Sequence, residues 1–235
     1  MRFIVKPGAA SSPESYLSTS RFLILSLRKI TWLDTWKYLV STLSMKRVIM
    51  DSEIELNGEN YRINTNKSKG QGCFVEILRA IQSNLASMLS FHCKVYVVQF
   101  VVHCHVYEQK NSGISDLMRV FKKRLSRRYG LSRVSGGWVR ETGQSGVQHY
   151  HVVIFLDGNK VRWFRGVQNL VVEIMKVRGY PWPSFMKSHM VRRDEREGMN
   201  EAFYHLSYMA KIRSKSGRSP STNDYSFSRL KAKRG

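Results

Sequence analysis

Apolar residues recur at three- and four-residue intervals in four stretches of the chain, a spacing that predicts helices. A long apolar run, residues 95–102, contains one polar residue, Gln99, and suits a strand at the centre of a sheet. Apolar stretches at 138–139 and 152–156 flank a Gly/Ser-rich turn and predict a hairpin. The order of these elements predicts an α+β fold, with helices flanking a central antiparallel sheet. The predicted helices lie within residues 74–89, 117–134, 161–177 and 197–213.

Chain length and patterning predict one main domain with an appendage at each end. Residues 51–213 form the predicted domain, and residues 214–235 form a basic C-terminal tail. Residues 1–50 lack a clear pattern, so we expect a variable or non-native N-terminal extension. That segment contains no run of about 18 apolar residues, so a membrane span is not expected.

Two histidines begin the second strand of the predicted hairpin. Side chains two apart on a strand point to the same face, so His149 and His151 project together. Glu141 precedes the turn, and the hairpin would bring it opposite the two rings. Two imidazoles and a carboxylate on one side of a sheet predict an open divalent-metal site. An isolated pair of this type is more often structural, and the chain carries a second pair, His103 and His105.

The last predicted helix, residues 197–213, presents two phenols and an ammonium group away from its apolar side. At about 100° per residue, Tyr204, Tyr208 and Lys211 fall close together on the helix surface. Amphipathic tyrosines also line grooves and interfaces, so the stripe has a structural interpretation as well. The opposite, core-facing side carries Met199, Ala202, Phe203, Leu206, Met209 and Ala210.

The metal site and the tyrosine helix together suit phosphodiester transfer. A tyrosine hydroxyl can attack a phosphodiester and form a phosphotyrosine bond. A metal ion on the scissile phosphate would stabilise the charge of the transition state. Lys211 lies one turn from Tyr208, which makes Tyr208 the predicted nucleophile and Lys211 its cationic partner. Tyr204 is either a second nucleophile or a base-stacking residue.

These motifs resemble the HUH endonucleases that initiate rolling-circle replication, and more narrowly the inovirus-type replication proteins of filamentous phages and prophages. The resemblance implies an HUH-like endonuclease domain whose central antiparallel sheet carries the metal site. His149, His151 and Glu141 would be the metal ligands, and Tyr208, assisted by Lys211, would form a 5′-phosphotyrosine intermediate. The matching segments are residues 61–67, 138–141, 149–151 and 207–211.

The expected cofactor is a divalent metal, Mg²⁺ or Mn²⁺, and the expected substrate is single-stranded or origin DNA. The sequence contains no G-x-x-x-x-G-K-[ST] phosphate loop, so strand separation would fall to a host helicase, with a host polymerase following. Three cysteines without zinc-ligand spacing suit a reducing cytoplasm.

The charge balance favours a nucleic-acid partner. Lys and Arg total 39 against 17 Asp and Glu, giving a net charge of +22. Residues 117–134 carry no acidic residue and predict a helix with a basic outer face. Membrane binding is the weaker interpretation, because no basic helix also has a strong exposed apolar face. The predicted nucleic-acid contacts are Arg119, Lys122, Lys123, Arg124, Arg127 and Arg128.

Two other functions compete with nicking. The first is a phage or prophage DNA-binding protein that serves replication or regulation with the same fold and no catalysis. The second is an RNA-binding protein with a basic sheet, which gives no reason for Glu141, both histidines and Tyr208 to coexist.

Overall fold

The computed structural model describes residues 47–143, 145–212 and 223–233. Of the predicted N-terminal extension, only residues 47–50 are described. Arg213 and residues 214–222 of the predicted tail also lie outside the described residues. The strands are β1 (Val48–Ile49), β2 (Glu53–Leu56), β3 (Glu59–Arg62), β4 (Cys73–Phe74), β5 (Lys94–His103), β6 (Ser135–Thr142), β7 (Gln148–Asp157), β8 (Ser184–Phe185), β9 (His189–Arg192) and β10 (Tyr225–Phe227). The α-helices are α1 (Val75–Phe91), α2 (Ser112–Tyr129), α3 (Phe164–Val177) and α4 (Arg196–Ser207).

Among the residues that the structure describes, the central sheet contains six strands, and every pairing in it is antiparallel. Its order is β10-β6-β7-β5, with β8 and β9 pairing along the other edge of β5. Strand β5 is the predicted central strand, and its residues from Val95 to Val102 are buried. A strand with both faces covered needs a nearly continuous apolar run, which explains its sequence apart from Gln99. Within the described ranges four helices flank the sheet, so the predicted α+β class is confirmed.

Each face of the sheet packs against its own pair of helices. On one face, α1 and α4 cover Val97, Val153 and Phe155. The β2–β3 hairpin packs onto α4 on this side, where the Tyr61 and Phe203 rings lie 4.6 Å apart. On the other face, α2 and α3 cover the alternate residues of the same strands. We call these the α1/α4 face and the α2/α3 face.

The tyrosine helix is shorter than predicted. Helix α4 ends at Ser207 instead of continuing to about Arg213, and a 3-10 turn, Tyr208–Ala210, follows it. The Ser207 hydroxyl donates a hydrogen bond to the Tyr204 carbonyl, a back-bond that competes with regular helix. Lys211 then turns to extended backbone and bridges Cys73 of β4.

Part of the predicted C-terminal tail belongs to the sheet. Strand β10 pairs with β6, so that Phe227 lies opposite Gly137. A Cβ atom on Gly137 would overlap the Phe227 ring, so only glycine permits this close approach. Among the described residues, no helix is both long and apolar enough to cross a membrane.

Candidate metal centre and nucleophile

The predicted hairpin is formed by β6 and β7. Glu141 lies directly opposite His149, and Val139 lies opposite His151. Both histidines alternate with residues of the α2/α3 face, so their rings lie on the α1/α4 face with Val153. The register therefore brings one carboxylate and two imidazoles to one end of the sheet, as predicted from the sequence.

One oxygen of Glu141 lies close to both rings. Its Oε2 is 3.6 Å from His149 Nε2 and 3.5 Å from His151 Nε2. The two imidazole centroids are 5.3 Å apart. Glu141 and His151 are buried, whereas the His149 side chain is 24% exposed and opens the group to solvent. We call Glu141, His149 and His151 the hairpin cluster.

The hairpin cluster fits a divalent metal ion. One donor atom from each residue lies within 4.8 Å of the others. Two ligands bound at about 2.1 Å, at octahedral or tetrahedral angles, stand roughly 3.0–3.4 Å apart, so the observed separations need only small adjustment. A cation at this position would also balance the charge of the buried carboxylate. Two nitrogens and one carboxylate leave coordination positions open and suit Mn²⁺ and other first-row ions.

Tyr208 lies beside the hairpin cluster. Its ring packs edge-on against His151, with the centroids 5.7 Å apart. The Lys211 ammonium stands over the Tyr208 ring at 5.1 Å from the centroid. Both side chains are only partly buried. A phenol, an ammonium group and a carboxylate–imidazole cluster thus meet at one end of the α1/α4 face.

Hydrogen bonds to Ser207 and Ile212 hold the Tyr208 segment in place. The buried Ser207 hydroxyl accepts a hydrogen bond from the Asn64 amide at 2.8 Å. The Cys73 thiol faces the Ser207 carbonyl at 3.6 Å, and the Ile212 amide donates to the Gly72 carbonyl at 3.0 Å. No motif in the sequence predicted these contacts of Asn64 and Cys73, because they depend on the fold that brings both residues to the end of α4.

Tyr204 occupies a different environment from Tyr208. The Arg62 guanidinium stands 5.7 Å from its ring centroid, and the His205 ring lies 5.8 Å away. Tyr204 lines a cavity of about 720 Å³ whose wall also carries Lys187 and Arg196. Cations around a partly exposed phenol favour contact with a phosphate or a base. The surroundings of Tyr204 therefore fit DNA contact better than a role beside the hairpin cluster.

His103, at the end of β5, lies close to the hairpin cluster. It pairs with His149 across β5 and β7, and the two rings are 6.2 Å apart. Its Nε2 forms a hydrogen bond with Ser184 Oγ at 2.9 Å. Burial and the neighbouring His149 and His151 lower the pKa of His103. His105 is exposed on the following loop, so the second histidine pair does not form a site of its own.

The predicted nucleic-acid contacts of α2 are not near the hairpin cluster. Helix α2 packs on the α2/α3 face, with the sheet between it and the cluster. Lys122 Nζ donates to Ser228 Oγ at 2.7 Å, and burial lowers its pKa. Arg119 pairs with Asp116 at 3.1 Å and Arg124 with Glu173 at 2.5 Å. The other three predicted contacts are exposed positions, namely Lys123, Arg127 and Arg128.

No protein-family model, no curated protein and no solved structure matches this chain.

Proposed function

We propose that this chain is a metal-dependent, site-specific single-strand DNA endonuclease and ligase of the HUH type, which initiates rolling-circle replication. The observation that carries the proposal is the contact between Tyr208 and His151. It joins the predicted nucleophile to the predicted metal ligands, although the two lie in separate motifs of the sequence.

The hairpin cluster supports the metal-binding part of the proposal. Glu141, His149 and His151 would hold the ion by one carboxylate oxygen and two imidazole nitrogens. When bound there, a divalent ion would polarise the scissile phosphate and stabilise the charge that develops on its oxygens. The greater exposure of His149 leaves that side of the cluster accessible to a strand of DNA.

Tyr208 would perform the transfer itself. Its oxygen forms a bond to phosphorus while the bond from phosphorus to the 3′ oxygen breaks, giving a 5′-phosphotyrosine and a free 3′ hydroxyl. The phenolic proton is lost, and the leaving 3′ oxygen gains one, so the step is balanced. Attack of a 3′ hydroxyl on the phosphotyrosine reverses the reaction and joins the strand. Lys211, over the Tyr208 ring, would bind a phosphate oxygen.

The order of the motifs supports membership of the inovirus-type replication proteins. The histidine pair precedes the tyrosine helix, and both lie within residues 51–213, the proposed endonuclease domain. Single-stranded or origin DNA is the proposed substrate, and the net charge of +22 would attract it. Host helicase and polymerase would complete replication.

The proposal is tested by trapping the covalent intermediate. The full chain is incubated with single-stranded oligonucleotides covering candidate origins, with Mn²⁺ or with EDTA. We expect a protein–DNA band that survives denaturation with Mn²⁺ and disappears with EDTA. An adduct that forms equally well in EDTA would contradict a metal-dependent mechanism.

A non-catalytic DNA-binding protein is the second candidate function. The exposed cations of α2, which lie across the sheet from the hairpin cluster, favour it. This function predicts salt-sensitive DNA binding with no adduct under any metal condition.

A further inference from the structure

A second group of metal-type ligands lies between β9 and α4. His189, in β9, pairs with Val97 of β5 and is buried on the α1/α4 face. Glu201 and His205 lie one turn apart in α4, at positions i and i+4, so they project from the same side of the helix. We call these three residues the α4–β9 cluster. Val97 is four residues from Val101, the partner of His151, so the two clusters are separated by about 13 Å along the strand.

The α4–β9 cluster is as closely spaced as the hairpin cluster. His189 Nε2 and His205 Nδ1 are 3.0 Å apart, and their rings stack with centroids at 4.8 Å. One donor atom from each of the three residues lies within 4.8 Å of the others. Two nitrogen ligands of one ion stand roughly 3.0–3.4 Å apart, so these nitrogens already hold that separation.

We propose that His189, Glu201 and His205 bind one divalent transition-metal ion of the zinc type, which clamps α4 to β9. The proposal does not depend on the nicking reaction. Two imidazoles and one carboxylate suit Zn²⁺ and related ions, whereas Mg²⁺ and Ca²⁺ prefer oxygen ligands. Three protein ligands leave one position for water or another ligand.

The carboxylate is available for this role. Glu201 is exposed and accepts a hydrogen bond from the exposed Lys187 ammonium at 2.5 Å. Surface ion pairs of this kind contribute little to stability, so a metal ion can replace the lysine at low cost. Glu201 and His205 also line the cavity of about 720 Å³ that contains Arg62 and Tyr204. An ion held there would lie at the edge of this cavity, whose lining also carries Lys187, Arg196 and Glu197.

The clamp would act on the helix that carries Tyr204 and leads into Tyr208. Metal binding would join this turn of α4 to the sheet. The ligand His205 lies one residue after Tyr204 and three residues before Tyr208. A ligand that binds only the folded chain stabilises it, so zinc should raise the melting temperature.

The test measures zinc binding by the metal-free full chain, without DNA. In the His149→Ala/His151→Ala background, which lacks the hairpin ligands, we expect one zinc per chain. Adding Glu201→Gln or His205→Gln should weaken that zinc binding by at least about tenfold, because each removes one of three ligands. The matched control is Glu197→Gln, which removes a carboxylate one turn earlier in α4 that lines the same cavity.

A second measurement keeps the hairpin cluster intact. With wild-type histidines at 149 and 151, His205→Gln should bind one zinc fewer than the unaltered chain. In the His149→Ala/His151→Ala background, Co²⁺ substitution should give a visible absorption spectrum that is lost in Glu201→Gln and retained in Glu197→Gln. Circular dichroism and melting temperature establish that each variant is folded. Because Glu201 is exposed, Glu201→Gln should fold and can serve as the test variant if His205→Gln unfolds.

The proposal is overturned if the background variant holds no stoichiometric zinc, or if Glu201→Gln and His205→Gln hold it as tightly as Glu197→Gln. Either result would leave His189 and His205 as a hydrogen-bonded pair. Neither result bears on the nicking proposal, because that proposal depends on the hairpin cluster and on an adduct with DNA.

Discussion

The two faces of the sheet differ in where their charged side chains lie. On the α1/α4 face, ionisable side chains are partly or fully buried and lie next to one another, as with Glu141, His151 and Tyr208. On the α2/α3 face, the core is largely apolar apart from Arg140, whose buried guanidinium donates to the Glu108 carbonyl. The cations Arg127 and Arg128 lie on the outer surface of α2. The proposed chemistry and the most basic helix are therefore on opposite sides of the sheet. DNA binding and DNA cleavage should be separable by mutation.

Removing the hairpin ligands should have the largest effect. His149→Ala/His151→Ala deletes two of three proposed ligands, and we expect metal-dependent cleavage to fall by at least about 100-fold. DNA affinity should change little, because it depends on dispersed Lys and Arg. Single-turnover cleavage and fluorescence anisotropy measure the two quantities.

The matched control is His105→Ala, since His105 is an exposed histidine outside the cluster. It should cleave at the wild-type rate. Cleavage by the double variant at the wild-type rate would move the metal site elsewhere, and His103 would be the first residue to test because its ring is 6.2 Å from His149.

The sequence predicted the hairpin cluster because it depends on local rules. Period-two alternation fixed the direction of His149 and His151, and a short turn fixed the strand that carries Glu141. The end of α4 was predicted wrongly, because Ser207 is held by Asn64, which is distant in sequence. The β2–β3 hairpin was also missed, although Asn57-Gly58 has the positive φ angles, 55° and 78°, that such turns require.

The α4–β9 cluster escaped the sequence analysis for a similar reason. Glu201 and His205 show helical spacing, but His189 joins them only through the pairing of β9 with β5. The position of α2 on the face opposite the hairpin cluster was not predictable either, because a helical pattern does not indicate which face of a sheet the helix covers. Charge clustering in sequence therefore did not predict proximity to the site.

Stability should depend on pH through the α1/α4 face. Burial and the neighbouring His205 lower the pKa of His189 from 6.5 to about 4, with Glu201 raising it and Lys187 lowering it. The unfolded chain then binds a proton first on acidification, so stability is present above pH 6.5 and is lost as the pH falls towards 4. We expect a loss of about 1–3 kcal/mol from pH 7 to pH 5 in EDTA.

Urea unfolding at the two pH values measures this loss. His189→Gln, which cannot titrate, should lose less stability than the wild type over the same interval. An equal loss in both chains would assign the pH dependence to other groups.

Ser207 should contribute a smaller amount, through the position of Tyr208. Ser207→Ala leaves the Asn64 amide without its acceptor and should cost about 1–2 kcal/mol of unfolding free energy. Cleavage should also fall, because the following turn carries Tyr208. Ser207→Thr keeps the hydroxyl and should recover more of the cleavage rate than of the stability. A cleavage rate unchanged in Ser207→Ala would contradict a positioning role.

The smallest effect should come from the exposed cations of α2. Arg127→Ala/Arg128→Ala should weaken single-stranded DNA binding and reduce the salt slope by ~0.7 for each phosphate that the variant no longer neutralises. The cleavage rate at saturating DNA should not change. The comparison variant is Arg62→Ala/Arg196→Ala, which removes two cations from the cavity beside Tyr204. If the α2 variant lowers saturated cleavage as much as the cavity variant does, the two faces are not separable.

The central claim is that Tyr208, beside the hairpin cluster, is the nucleophile. The direct measurement is mass spectrometry of the peptide trapped on DNA with Mn²⁺, in the wild type, Tyr208→Phe and Tyr204→Phe. Each substitution removes one oxygen and keeps the ring. The account predicts an adduct on Tyr208, its loss in Tyr208→Phe, and its retention in Tyr204→Phe. An adduct on Tyr204 alone, or no adduct in the wild type, would contradict it.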